Sequence, residues 1–294
     1  MATEFRVTLL GTGTPIPRPD RFGPSTLIEA GDHTVLIDAG RGATMRLYQL
    51  GVPIGRIDAL LLTHFHSDHT VGIPDLWLTG WLNSHFGNRQ RPFKVIGPVG
   101  TERLMHHLGA AYARDIEIRV EDEKLAREHV AITVEEFAED GVVYQAGDLC
   151  IIAFTVDHGD AIKPAYGYRV EYRGRVAVIS GDTRYNENVL HYGQGADLMV
   201  HEVAMARPEL LREAYIQRIV NHHTSPQEAG RIFAQTRPKL AVFTHLVMLA
   251  SATVNAPAVD ELIAATRETY AGPLQVGEDL MSFEIGETVI VRRT

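Results

Sequence analysis

The sequence predicts a layered α/β protein, a four-layer αββα sandwich. Short apolar runs that end at Gly or Asp alternate with helical patterns along the chain. The alternation recurs in the second half, without a Pro- or Ser-rich linker between the halves. A length of 294 residues and a hydrophobic content of 45% allow a sizeable buried core. We therefore expect one domain over residues 1–294.

Individual elements follow from local patterns in both halves. Predicted strands lie at 5–10, 25–29, 34–37, 59–62 and 93–96, then at 150–156, 166–172, 176–179, 197–200 and 240–244, with a closing pair near the end. Predicted helices lie at about 41–51, 73–85, 100–112, 225–236 and 257–270. Arg173-Gly174 predicts a tight hairpin turn, and Ser225 with Pro226 predicts a capped helix start.

Composition limits the location and the partners of the protein. The 28 basic and 37 acidic residues give a formal net charge of −9, which opposes long-range attraction to phosphate backbones and disfavours nucleic acid as a partner. A single cysteine, Cys150, excludes an internal disulfide and favours a reducing, cytoplasmic location. The start of the chain resembles no signal peptide, and no apolar run reaches 18 residues, so neither secretion nor a membrane span is expected.

One cluster of metal-ligand residues dominates the sequence. His64, His66, Asp68 and His69 directly follow the predicted strand 59–62. Imidazole and carboxylate both bind zinc and similar divalent ions. A role as solvent-exposed loop residues is improbable for ligand-type side chains that adjoin a buried strand. The spacing allows two ions, one bound by the first two histidines and one by the last two residues.

Three further candidates stand at or just beyond the ends of apolar strands. They are His158, Asp182 and His245. Each alone is as easily a hydrogen-bonded structural residue. Together with the cluster they complete a set of seven candidate ligands.

At this point the chain resembles the metallo-β-lactamase superfamily, whose signature is His-x-His-x-Asp-His followed by single His, Asp and His ligands. Within it, the chain is most similar to the ribonuclease Z-like and arylsulfatase-like branch. The supporting segments are 10–15, 36–40, 97–98, 180–183, 201–202, 223–225 and 243–245. The resemblance covers nearly the whole chain and implies the metallo-β-lactamase fold.

The resemblance also implies how the ligands divide. One ion would be bound by His64, His66 and His158, and the other by Asp68, His69 and His245, with Asp182 bridging both. Zinc is the expected metal, with manganese or iron as alternatives. Asp38 would either hydrogen-bond a ligand or cap its strand.

The implied chemistry is hydrolysis. Two ions about 3.5–4 Å apart lower the pKa of a bridging water, and Asp68 would orient that water. The resemblance further implies that His223, paired with Glu202, protonates the leaving group; the alternative is that this pair only joins two loops. His222 is the less suitable neighbour because Thr224-Ser225 align with His223.

Small ester substrates, such as phosphodiesters or aryl sulfates, rank first on the sequence. Ribonuclease Z-type processing of transfer RNA 3′ ends ranks second, because the interval expected to carry a basic RNA-binding arm is acidic. Residues 119–140 hold eight acidic side chains and read as a solvated helix or loop, and the nearby Arg89, Arg91 and Lys94 read as a solvated loop. Lactone or β-lactam hydrolysis and a non-catalytic, metal-stabilised binding module are the remaining alternatives.

Aromatic residues follow the metal motif. Trp77 and Trp81 are four residues apart and share a helix face near Phe86. Core packing or a dimer contact is the favoured interpretation, and a substrate wall is the alternative. Homodimers are common in the branch that the chain resembles, so a homodimer is expected on that ground.

Overall fold

The computed structural model describes residues 4–293, which form two sheets with helices on their outer faces. The first sheet has the strand order β15-β14-β1-β2-β3-β4-β5-β6. Its strands are β1 (Phe5–Gly11), β2 (Ser25–Ala30), β3 (His33–Ile37), β4 (Ala59–Leu61), β5 (Phe93–Pro98), β6 (Ile132–Phe137), β14 (Ser282–Ile285) and β15 (Val289–Arg292).

The second sheet has the order β13-β12-β11-β10-β9-β8-β7. Its strands are β7 (Gly141–Ala146), β8 (Leu149–Thr155), β9 (Tyr166–Tyr172), β10 (Arg175–Ile179), β11 (Leu198–Met205), β12 (Leu240–Met248) and β13 (Leu274–Val276). The helices are α1 (Ala43–Gln49), α2 (Ser67–Thr70), α3 (Ile73–Trp81), α4 (Thr101–Ala111), α5 (Ala113–Asp122), α6 (Arg127–Val130), α7 (Glu187–Gly193), α8 (Ala214–Val220), α9 (Pro226–Thr236) and α10 (Val259–Arg267). Short 3₁₀ turns lie at Ile54–Arg56 and Leu210–Arg212.

Three apolar clusters hold the layers together. The central cluster joins the inner faces of the two sheets, for example Leu61 and Val200. A second cluster packs α1, α3 and α4 on the first sheet, and a third packs α7, α9 and α10 on the second sheet. Each sheet therefore buries one face on the other sheet and one face under helices. This arrangement confirms the predicted αββα sandwich.

Two local predictions are confirmed in detail. Arg173 and Gly174 have φ values of 46° and 73°, as a tight turn between β9 and β10 requires. Ser225 caps α9: its hydroxyl accepts from the Glu228 amide, and the Glu228 carboxylate accepts from the Ser225 amide.

The acidic interval is not simply a solvated helix or loop. Part of it forms β6, which pairs with β5 in parallel at the edge of the first sheet. The α5 and α6 helices precede that strand and were not predicted. Both helices are short and mainly polar, and they are held by packing of Ile116 and Val130 with the apolar residues of α3 and α4.

Trp77 and Trp81 belong to the core. Their side chains are 1% and 3% exposed, and their indole N–H groups donate to the Val130 and Ala126 carbonyls. The tryptophan face is thus covered by α6 and offers no surface to a second chain or a substrate. The homodimer stays a prediction. No helix within residues 4–293 is long and apolar enough to cross a membrane.

Candidate metal centre

The candidate ligands meet at one edge of the sandwich. His64 and His66 follow β4, and Asp68 and His69 lie in α2, which begins directly after them. His158 and Asp182 follow β8 and β10. Because β8 and β10 are both antiparallel to β9, their carboxyl ends lie at the same edge of the second sheet.

His245 lies inside β12 and not beyond its end. The register between β11 and β12 shifts at this point, since Glu202 pairs with Thr244 and Val203 pairs with Leu246. The extra residue, His245, has a φ of 43°. This bulge turns the imidazole away from the ladder and toward the other ligands.

One group of ligand atoms comprises His64, His66, His158 and Asp182. His66 Nδ1 lies 3.0 Å from His64 Nε2 and 3.3 Å from His158 Nε2. Asp182 Oδ2 lies 3.8 Å from His64 Nε2 and 3.6 Å from His158 Nε2.

A second group comprises Asp68, His69 and His245. Asp68 Oδ2 lies 3.2 Å from His245 Nε2 and 3.7 Å from His69 Nε2. The same Asp182 Oδ2 atom lies 3.3 Å from His69 Nε2 and 3.4 Å from His245 Nε2. One carboxylate oxygen therefore faces four imidazoles, two from each group.

These distances fit divalent metal ions. With metal–nitrogen bonds of about 2.0–2.1 Å in a tetrahedral site, neighbouring ligand atoms stand roughly 3.3 Å apart. The nitrogen and oxygen atoms of both groups fall around that value. His69 Nε2 is also buried without a hydrogen-bond partner among the described residues. The two clusters can bind metal ions.

Hydrogen bonds on the far side of three rings fix which nitrogen faces the centre. Asp38 accepts from His69 Nδ1 at 2.7 Å and from the Thr63 hydroxyl at 2.8 Å. Because the Thr63 hydroxyl donates its only proton to Asp38, its oxygen acts as the acceptor for His64 Nδ1, which donates at 3.0 Å. His158 Nδ1 donates to the His222 carbonyl at 2.8 Å. In its neutral form each ring is thereby left with an Nε2 lone pair directed to the centre.

The electrostatics of the two groups differ. Burial lowers the pKa of His64 well below its usual value and that of His158 to about 3, so both rings are neutral, as metal ligands must be. Burial also opposes charge on His69, but the carboxylates of Asp182 and Asp38 outweigh it and raise its pKa well above the usual value. Protons on the imidazoles of this second group balance the negative charge of the buried carboxylates. A metal cation can supply that positive charge instead of the protons.

Glu202 and His223 lie beside the ligands. His223 Nδ1 is 3.1 Å from Glu202 Oε2, although the two atoms lack hydrogen-bond geometry. The other carboxylate oxygen accepts from the amides of Thr183 and Thr224. Burial raises the pKa of Glu202 well above its usual value and lowers that of His223 to about 4. Burial thus disfavours charge on both partners. His223 also forms a possible ligand group with Asp182 and His245.

A cavity of about 250 Å³ opens next to the ligands, and no sequence pattern indicated it. His66, Asp182, His223 and His245 line one side. The other side is mainly apolar and is formed by Pro15, Ile16, Ile219, Val247 and Leu249. These residues come from a loop, a helix and the end of a strand that are separate in the sequence, so no local motif brings them together.

Comparison with known proteins identifies the family. The sequence profile of the Beta-lactamase superfamily domain matches residues 33–246. Ribonuclease Z of Mycobacterium marinum is 35% identical over 284 residues, which cover 96% of this chain and 99% of that protein. The chain belongs to this superfamily and to the ribonuclease Z family within it. Ribonuclease Z of Mycolicibacterium gilvum is 33% identical and covers 96% of each chain.

Solved structures agree on the fold of this ribonuclease Z family member. The metallo-β-lactamase fold protein YhfI from Bacillus subtilis superposes with a TM-score of 0.71 at 19% identity, covering 95% of this chain and 99% of that one. The short form of human tRNase Z superposes with a TM-score of 0.68 at 23% identity, covering 96% and 99%. With the two ligand groups, the family makes this chain a metal-dependent hydrolase.

The expectation of a small-molecule ester as substrate, with nucleic acid as an improbable partner, is wrong. The relatives that match over the full length are ribonucleases Z. The acidic interval misled because many of its acids are already paired. Arg119 bonds Glu123, Lys94 bonds Glu135, and Glu136 accepts from the first amides of α4. Such internally compensated charges repel a phosphate far less than a count of acids suggests.

Proposed function

We propose that this protein is a metal-dependent endonuclease that removes 3′ extensions from precursor transfer RNA. The observation that carries the proposal is the 35% identity to a ribonuclease Z over 96% of this chain. The convergence of the ligand groups on Asp182 supports it, because two metal ions held close together can stabilise both the attacking and the leaving oxygen of a phosphodiester.

In this proposal the seven ligands hold two ions, which we propose to be zinc. His64, His66 and His158 would hold one, and Asp68, His69 and His245 would hold the other, with Asp182 available to both. Bound divalent ions activate water as a nucleophile and neutralise charge on the phosphate oxygens. Asp68 also accepts a hydrogen bond from the attacking water and so orients it.

His223 is proposed as the proton donor. When water attacks phosphorus, the bond from phosphorus to the leaving O3′ breaks, and His223 supplies the proton that this oxygen needs. Its ring lines the cavity and adjoins Glu202. The negative charge of a bound phosphate favours the protonated imidazole that burial alone disfavours. Glu202, held by two backbone amides, keeps the ring in place.

Cleavage of a 3′-extended precursor by the metal-loaded protein tests the function. We expect a transfer RNA with a free 3′ hydroxyl and a released extension. His223→Ala should slow the reaction by about 10²–10⁴, whereas His106→Ala, at an exposed position on α4, should not. Wild-type protein with a full metal complement that leaves the precursor intact would refute the proposal. The single cysteine supports a cytoplasmic location, which we also propose.

A further inference from the structure

The helix α8 leads from solvent to the candidate metal centre. On this helix Tyr215, Arg218 and Ile219 follow the i, i+3, i+4 spacing of one face. The chain continues past α8 with i→i−3 hydrogen bonds from the His222 and His223 amides. Residues three apart eclipse one another in such a turn, so His222 extends the face directly beyond Ile219.

The inner end of this face belongs to the cavity, and the outer end is open. Ile219 and His222 line the cavity beside the ligands. Tyr215 is 47% exposed, and Arg218 is exposed. Positions 215 and 219 are about 6 Å apart along the helix axis, a distance that one unstacked nucleotide step can span.

The helix is anchored, so its outer face is presented in a fixed position. Ile216 is 1% exposed and packs with Leu210, Ala204, Val247 and Leu249. The Gln217 side chain donates to the Leu211 carbonyl of the preceding 3₁₀ turn. Tyr215 and Arg218 lie outside this cluster and take no part in holding the helix.

The charge of the face suits a phosphate chain. Residues 214–223 contain no Asp or Glu, in a protein of net charge −9. Arg218 forms no ion pair with any carboxylate of residues 4–293. An exposed aromatic ring next to an unpaired guanidinium is the arrangement with which proteins bind single-stranded nucleic acid, by stacking a base and contacting a phosphate.

We propose that the face formed by Tyr215, Arg218, Ile219 and His222, here called the α8 face, binds the unpaired 3′ segment of the RNA substrate. This inference rests on the proposed function. The apolar cavity accepts the base next to the scissile phosphate, where Ile219 and Ile16 line it. The next base stacks on Tyr215, and Arg218 contacts the phosphate between them. The cavity volume of about 250 Å³ is sufficient for one base.

Binding of a labelled single-stranded hexaribonucleotide to the metal-loaded protein tests this surface. Fluorescence anisotropy at several salt concentrations gives the affinity, and a gel after each titration shows that the RNA is intact. Tyr215→Ala should weaken binding roughly tenfold without changing the salt dependence. Arg218→Ala should weaken binding and lower the slope of log K against log salt by about 0.7, the value for one phosphate of a single strand.

Matched variants make the result specific. Tyr48 on α1 is 57% exposed and lines no part of the cavity, and Arg103 on α4 is exposed, so Tyr48→Ala and Arg103→Ala should bind like wild type. Tyr215→Phe keeps the ring and should bind normally. A 12-base-pair RNA duplex should bind without dependence on Tyr215.

Two outcomes would overturn the inference. One is wild-type affinity and salt slope in both Tyr215→Ala and Arg218→Ala. The other is an equal loss for the duplex and the single strand. Precursor cleavage by wild type is measured separately, because it tests the proposed function, whereas hexanucleotide binding tests the α8 face without requiring cleavage.

Discussion

Asp38 should control one metal site more strongly than the other. Its Oδ1 accepts from the Thr63 amide at 2.8 Å, and its Oδ2 accepts from the Thr63 hydroxyl and His69 Nδ1. An asparagine in this position has one acceptor oxygen and one amide group that only donates. Whichever way its side chain were turned, one donor would face another donor. Asp38→Asn therefore releases His69 from its fixed orientation or leaves a buried donor unpaired.

The size of the effect follows from the bond that is lost. A 2.7 Å hydrogen bond to a buried carboxylate contributes about 1.5–3 kcal/mol. Loss of such support for a ligating imidazole costs about 10–100-fold in metal affinity. We expect that loss at the site of Asp68, His69 and His245, and a smaller loss at the site of His64, His66 and His158, because Asp38 reaches His64 only through the Thr63 hydroxyl. Excess metal should restore turnover.

Competition with a chelator, followed by elemental analysis, measures the two affinities. The matched control is Asp58→Asn, since Asp58 accepts from the Thr34 amide and pairs with Arg91 away from the ligands. Wild-type affinity at both sites, or an equal loss at both, would show that Asp38 does not act through His69.

Three further predictions concern the centre itself. Asp182→Ala should weaken both metal sites together, because one oxygen faces imidazoles of both groups; elemental analysis that shows two retained ions would contradict this. His223→Ala should lower kcat on RNA by about 10²–10⁴, and much less on bis(p-nitrophenyl) phosphate, whose leaving group needs no proton; equal losses on both would exclude proton donation. Removal of metal should lower Tm by roughly 5–10 °C if the sites are saturated at about 100 times Kd, and an unchanged melting curve would argue against native metal sites.

The residues that sequence reasoning identified share a property. His64 to His69, His158 and Asp182 stand next to apolar runs whose ends can be read locally. Strands that run in the same direction within a sheet place those ends at one edge, so the pattern alone predicts that the side chains meet. The fold class can be predicted from the sequence for the same reason, because apolar strand-like runs and helical patterns are both recognised from neighbouring residues.

The features that were missed depend on contacts between distant segments. His245 was expected beyond a strand, but it lies in a bulge that only the register between β11 and β12 reveals. The apolar wall joins Ile16 to Leu249, which are far apart in the chain. α8 is seven residues long and is held by one buried cluster, too short for a clear helical period.

The error about the substrate has a physical origin of its own. Net charge describes the field far from the protein, and beyond a Debye length of about 8 Å that field is screened at physiological salt. Binding of RNA depends instead on charges within a few ångströms of the phosphates. Here Glu123, Glu135 and Glu136 are compensated by neighbouring cations and amides, whereas Arg218 near the cavity is not paired within residues 4–293. A chain of charge −9 can therefore present a surface suited to RNA beside the candidate metal centre.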